Sequence, residues 1–191
     1  EVHHRVKNNL QVITSLMRLE TSRTEEPSVR RVLKEMQGRI MSMALLHETL
    51  YRSGVFARVD LARYLQQLAG QLFRAHETPT GRVLLAFDLD AVQVDIDRAI
   101  PCGLMVNELL ANSLRHAFPD GRSGEVRLKL REEGEGRVRL EVRDTGRGFP
   151  EDLESRRGKS LGLQLVSDLA RQLGGSLELG PGPGAGLVVE F

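Results

Sequence analysis

Glu1-Val2-His3-His4-Arg5-Val6-Lys7-Asn8-Asn9-Leu10 opens the chain, and its spacing decides the first half of the fold. Val2, Val6, Leu10, Ile13 and Met17 recur at steps of three and four. On a helix of about 3.6 residues per turn they form one apolar stripe. His3 lies at the stripe's edge. Counted at about 100° per residue, His4 points roughly 160° from the stripe's centre, so its imidazole is expected to stand in water while the helix packs by its other side. Asn8 lies one turn further on along the His4 face. Taken alone, a surface histidine of this kind is ordinary, and any chemistry for it has to come from the rest of the chain.

The first helix is expected to run to about Arg23, where Thr24-Glu25-Glu26-Pro27-Ser28 breaks it. Pro27 disfavours helix in the residue before it and suits the first turn of the next. Val29, Val32, Leu33, Met36, Ile40, Met43, His47 and Leu50 make a second stripe. His47, in its middle, reads as a packed core histidine. Two long helices joined by so short a turn form an antiparallel hairpin. That hairpin has too little material to enclose its own apolar faces, and its spacing is the one bundles use. A second copy would complete a four-helix bundle, so a homodimer is expected.

With 191 residues, 40% of them hydrophobic, the chain can bury a core beyond the hairpin, in one large or two modest domains. Its 27 basic and 26 acidic residues leave a net charge of +1, which gives no sign of a nucleic-acid or membrane surface; phosphate has to be held locally. Cys102 is the one cysteine, so an intramolecular disulfide and a cysteine-based metal cluster are excluded, and a reducing, cytoplasmic setting is the simpler expectation. No apolar run is long enough to span a bilayer, so these residues are not expected to contact a membrane. Because the chain begins inside a helical pattern, it is expected to belong to a longer protein with a sensor domain upstream.

Residues 51–59 lose the periodicity and Gly54 marks a connector. The expected organisation is the hairpin over residues 1–53, a linker over 54–59 and a second domain over 60–191. Asp60 is placed to cap a helix carrying Leu61, Leu65, Leu68 and Leu72. Val83 to Asp88 and Val92 to Asp97 read as short strands around a tight connection. Helix returns from Ala99 to Ala117, and Glu125 to Arg131 and Arg137 to Arg143 alternate as strands. Residues 145–159 are Gly-rich loop, Ser160 to Leu173 is a helix ended by Gly174-Gly175, and Ser176 to Leu179 with Leu187 to Phe191 supply the last strands. The fold class is α+β in two domains: the hairpin, then an α/β sandwich with a mixed sheet of about five strands and helices on one face.

Three segments of that second domain carry chemistry. On the helix Asn107-Glu108-Leu109-Leu110-Ala111-Asn112-Ser113-Leu114-Arg115-His116-Ala117, the side chains of Glu108, Asn112 and His116 recur at i+4 with Arg115 beside them. Such a strip can hold Mg²⁺ through oxygen and phosphate through nitrogen donors. Asp144-Thr145-Gly146-Arg147-Gly148-Phe149-Pro150 ends a strand: its carboxylate can accept from an exocyclic amine while glycines let backbone approach a flat ring. Gly158-Lys159-Ser160-Leu161-Gly162-Leu163 leads a loop into a helix, where free N–H groups and the dipole favour phosphate. The Walker pattern and the dinucleotide Gly-x-Gly-x-x-Gly pattern are both absent.

These segments resemble the ATP-binding domain shared by gyrase, the large chaperone ATPases, histidine kinases and mismatch-repair ATPases, over residues from about 98 to 191. The resemblance implies Asn112 as a Mg²⁺ ligand; Glu108, Arg115 and His116 near phosphate; Asp144, with Gly146 and Gly148, as the reader of the adenine amino group; and Gly158, Leu161, Gly162 and Leu163 as the second glycine box. The opening helix resembles the acceptor helix of sensor histidine kinases, whose motif His-Arg-x-Lys-Asn stands here as His4-Arg5-Val6-Lys7-Asn8. The chain has no Trp, so the Trp-x-Glu signature of the HWE type is missing, and the sister class with the same acceptor helix is the better match. Ala185 stands where many relatives place a Thr after glycine.

The resemblance further implies that the γ-phosphoryl of ATP passes to a nitrogen of His4 and then to an aspartate on the receiver domain of a response regulator. Mg²⁺ at Asn112 and donors such as Lys159 and Ser160 would neutralise charge, which is most of what phosphoryl transfer asks for. In the commoner histidine kinases an acidic residue directly follows the histidine, whereas here Arg5 does. Glu1, one helical turn earlier, is the candidate to orient His4 or take its proton, and Asn8 the candidate to position water in dephosphorylation. Two rivals remain at this point: an anti-sigma-type serine kinase, and a non-catalytic phosphotransfer or adaptor protein with a degenerate nucleotide domain.

Overall fold

In the computed structural model, residues 2–53, 58–75, 83–134, 136–149, 161–180 and 184–191 are described, with backbone alone for 2–8, 42, 43, 45–53 and 161. Helix α1 (Val2–Arg23) and helix α2 (Pro27–Ser53) pack as the expected hairpin. Pro27 is the first residue of α2, where its missing N–H leaves no hydrogen bond unmade. Half-buried residues recur along both helices, Leu10, Thr14, Met17 and Thr21 on α1 and Leu33, Gln37, Ile40 and Ala44 on α2. The Gln37 amide donates to Thr21 Oγ1 at 3.1 Å across the pair. The apolar series does not end there. Val12, Leu16 and Leu19 on α1, which lie outside the expected stripe, and Val32 and Met36 of the second stripe stay 44 to 57% exposed, so one chain leaves apolar surface on both helices uncovered.

The second half begins with strand β1 (Val59–Asp60) and helix α3 (Leu61–Ala75). Asp60 Oδ1 accepts the Arg63 N–H at 3.0 Å, the contact by which a capping carboxylate satisfies a free donor of the first turn. Leu61, Leu65, Leu68 and Leu72 are all buried. Strands β2 (Val83–Leu89) and β3 (Gln93–Val94) precede helix α4 (Ile96–His116), followed by β4 (Gly124–Glu132), β5 (Val138–Asp144), helix α5 (Leu161–Gln172), β6 (Ser176–Leu179) and β7 (Gly186–Glu190). The main sheet has the order β2-β4-β5-β7-β6. Strands β2 and β4 are parallel because α4 crosses between them, and every other pair is antiparallel.

Alternation sets the faces of this sheet. Val138, Leu140, Val142 and Asp144 of β5 point into the core shared with α3, α4 and α5, as do Val126, Leu128 and Leu130 of β4. The opposite face carries Arg127, Arg131, Arg139 and Arg143, tied to Glu125, Asp88, Glu190 and Glu141. One expectation fails. Of Val92 to Asp97 only Gln93–Val94 is strand, and it pairs with β1 rather than β2. The valines alternate into the core as expected, but Asp95 takes the N-cap position of α4 and Asp97 its first turn, where carboxylates favour helix.

Candidate functional site

Asp144 closes β5 with its side chain turned inward, 1% exposed. Three donors hold its carboxylate. The Ser113 hydroxyl donates to Oδ2 at 2.9 Å, and the backbone N–H groups of Gly146 and Ala185 donate to Oδ1 at 3.0 and 3.2 Å. A carboxylate offers about four lone-pair directions, so one remains for a further donor. The loop after it is pressed onto the end of α4: Arg147 N–H donates to Ala117 O at 3.0 Å, and a Cβ at Gly146 would lie 2.4 Å from that oxygen, which only glycine avoids.

Between α4, β5, α5 and β7 this leaves a cavity of about 300 Å³, at the lower end of the range for ligand pockets. Leu109, Val142, Leu163 and Leu187 give it apolar walls, and Asp144 supplies a buried acceptor. Asn112, His116 and Arg147 add nitrogen and amide groups to the same lining. Partial burial, with Arg115, Arg147 and Arg31 nearby, holds His116 below the ordinary imidazole value. Such a space suits a flat heterocycle carrying an exocyclic N–H, with an anionic group directed toward the polar side chains.

Of the residues expected at this site, Asn112, His116, Asp144, Gly148 and Leu163 line the cavity together, and Gly146 shapes its loop. Glu108 and Arg115 meet the hairpin instead. Glu108 is buried and accepts from Arg39 Nε at 2.7 Å, and Arg115 Nη1 lies 2.8 Å from Glu35 Oε1, both partners being on α2. Glu108 nonetheless borders the second glycine segment: a Cβ at Gly162 would fall 2.8 Å from its Oε2. Glu1, Gly158, Lys159 and Ser160 lie outside the described residues, as do the side chains of His4, Asn8 and Leu161.

Sequence reasoning missed Ser113, Arg39 and Glu35. Ser113 directly follows Asn112 in the helix, and the demand of a buried strand-end carboxylate for a donor is the signal that would have singled it out. Among the described residues no three His, Cys, Asp or Glu side chains gather into a metal site of their own. The Asn112 side chain in the cavity lining offers an amide oxygen, a hard donor of the kind that Mg²⁺ would take alongside substrate phosphates and waters.

A strand-end carboxylate, glycine loop and amide-bearing helix around a cavity on a mixed sheet define an ATPase domain of the gyrase-like class. Residues 97–191 match the family model described as histidine kinase-, DNA gyrase B- and HSP90-like ATPase. Residues 1–76 match a histidine kinase model, and the chain belongs to the histidine kinase family through both of its halves. Blue-light-activated histidine kinase 2 of Erythrobacter litoralis is 33% identical over 100% of this chain and 55% of its own length. The sensor histidine kinase PdtaS of Mycobacterium tuberculosis is 35% identical over 93% of this chain and 35% of its own. The solved histidine kinase domain of the blue-light-activated kinase from Erythrobacter litoralis superposes with a TM-score of 0.74 at 26% identity, covering 98% of this chain and 93% of that one. The chain thus spans about half of the first relative and about a third of the second.

Proposed function

We propose that this chain is the catalytic core of a sensor histidine kinase in a two-component system, working in the cytoplasm, where ATP is available. ATP binds with its adenine amino group on Asp144. A nitrogen of His4 attacks the γ-phosphorus, the bond to the β-phosphate oxygen breaks, ADP leaves, and the phosphoryl group then passes to an aspartate of a response regulator's receiver domain. The observation that carries this reading is the buried Asp144, held by three donors inside a cavity whose lining includes Asn112 and His116. The working parts are the acceptor hairpin over residues 1–53, the connector over 54–59 and the ATP-binding part over 60–191. Incubation with γ-labelled ATP tests it: acid-labile, base-stable label on the chain is expected, whereas acid-stable label or none would end the reading.

Within this reading Asn112 holds the Mg²⁺ that accompanies ATP, which supplies charge neutralisation on the phosphates. The His116 side chain binds the phosphates together with Lys159, Ser160 and the backbone at Leu161, Gly162 and Leu163, where a helix N-terminus favours anions. Glu1 orients His4 or takes its proton, and Asn8 positions water for dephosphorylation. The exposed stripe of Val12, Leu16, Leu19, Val32 and Met36 is covered by a second copy in a four-helix bundle. Sedimentation at micromolar concentration is expected to give twice the chain mass, and a clean monomer would remove the dimer.

The hairpin also sets a distance. The Thr21–Gln37 contact marks the level at which Arg39 meets Glu108, while His4 lies about 25 Å further along α1. Attack needs the reacting atoms within about 3.5 Å. The arrangement is therefore a resting one, and transfer requires the ATP-binding part to move along the hairpin, parting Arg39 from Glu108 and Arg115 from Glu35. Glu35→Lys turns the second pair repulsive without touching the nucleotide cavity. A partly exposed pair contributes up to about 1 kcal/mol, so the initial rate of His4 phosphorylation is expected to rise up to about fivefold. A rate unchanged or lowered in the labelled-ATP assay would show that these pairs do not restrain the movement.

A further inference from the structure

In the proposed kinase Asp144 selects the base, and the role inferred for its neighbour Ser113 rests on that assignment. Oδ1 of Asp144 is engaged by two backbone N–H groups, from Gly146 and Ala185, which do not depend on a side chain. Its Oδ2 is engaged by one side chain, the hydroxyl of Ser113, itself only 9% exposed. Ser113 follows Asn112 on α4, so a single helical turn carries both the amide on the phosphate side and the group that aims the carboxylate.

We propose that Ser113 is a positioning residue that sets the preference for adenine. With the Ser113 proton on Oδ2 and two N–H groups on Oδ1, the carboxylate cannot rotate about its Cβ–Cγ bond without losing donors in a buried site. The lone pair left over on Oδ2 then faces the cavity in one direction. A base with an amino group at its 6-position donates to it, whereas a base with a 6-oxo group sets lone pair against lone pair. Without the Ser113 hydroxyl, Oδ2 loses its one donor from the protein, and the carboxylate is held from the Oδ1 side alone. Ala185 lines the same cavity and already reaches Asp144 through its N–H, so a hydroxyl carried on its Cβ would approach that carboxylate from the residue just before β7.

Equilibrium binding of ATP and of GTP to wild type, Ser113→Ala and the double variant Ser113→Ala with Ala185→Thr, each checked by thermal melting, decides this. Ser113→Ala is expected to bind ATP roughly tenfold more weakly, the loss for one hydrogen bond to a charged group, and GTP about as weakly as before. The ATP-to-GTP ratio therefore collapses, and Ala185→Thr restores most of it. Unchanged ATP affinity in Ser113→Ala, or an equal loss for both nucleotides, overturns the proposal while the kinase reading stands. Wild type that binds neither nucleotide overturns both. If Ser113→Ala melts too early to assay, Ser113→Cys, which keeps a similar volume with a weaker donor, is measured in its place, and an unchanged ATP-to-GTP ratio there also overturns it.

Discussion

A chain carrying His4→Ala is expected to bind ATP as wild type does and to take up no acid-labile phosphate, a loss of at least about a thousandfold in labelling. Transfer to the protein needs a nitrogen lone pair, and the methyl group of alanine has none. His3 is the obvious substitute, but adjacent residues of a helix are turned about 100° from each other, so an imidazole at position 3 faces another direction. Attack in line with the leaving oxygen does not tolerate that displacement. ATP affinity is the internal control, because the cavity around Asp144 lies far down the hairpin from this end. Acid-labile label remaining at a tenth of wild type or more would move the acceptor to another histidine.

How much of the fold and site is legible in the sequence depends on how far apart the interacting residues stand. The hairpin follows from apolar residues spaced three and four apart, and the strands β4 and β5 from strict alternation; both are local periodicities that sterics translate directly into structure. Val92 to Asp97 misleads because alternation there competes with a carboxylate at a helix start, and two residues of strand leave the helix to win. Asp144 and Asn112 are legible as motif residues. Their supporting contacts are not: Ser113 reaches Asp144 across 31 residues of chain and Arg39 reaches Glu108 across 69. No spacing rule links polar side chains that only the packing of α4 against β5, or of α4 against α2, brings together. The same remoteness hides the partners on the hairpin of Glu108 and Arg115, the two residues expected near phosphate.

Asp144→Asn should weaken ATP binding by at least about a hundredfold and reverse the order of preference between ATP and GTP. The variant keeps the shape of the side chain, so the outcome turns on which way the amide lies. Oδ1 receives two backbone N–H groups, and an NH₂ group placed there would meet donors from Gly146 and Ala185. The carbonyl of the asparagine must therefore take the Oδ1 position and the NH₂ group the Oδ2 position. The Ser113 hydroxyl, which is both donor and acceptor, rotates to accept from it, so the core stays satisfied and the fold is retained. What changes is the direction facing the cavity, where a lone pair is replaced by an N–H. An adenine amino group then meets a donor, losing a hydrogen bond to a charged group and gaining an unfavourable contact, together about 3 kcal/mol or more. The 6-oxo group of guanine meets that same N–H as an acceptor and gains what adenine loses. Competition of ATP and GTP against one fluorescent nucleotide measures both affinities, and thermal melting verifies that the chain is folded. Should Asp144→Asn bind ATP with wild-type affinity, the carboxylate does not read the base.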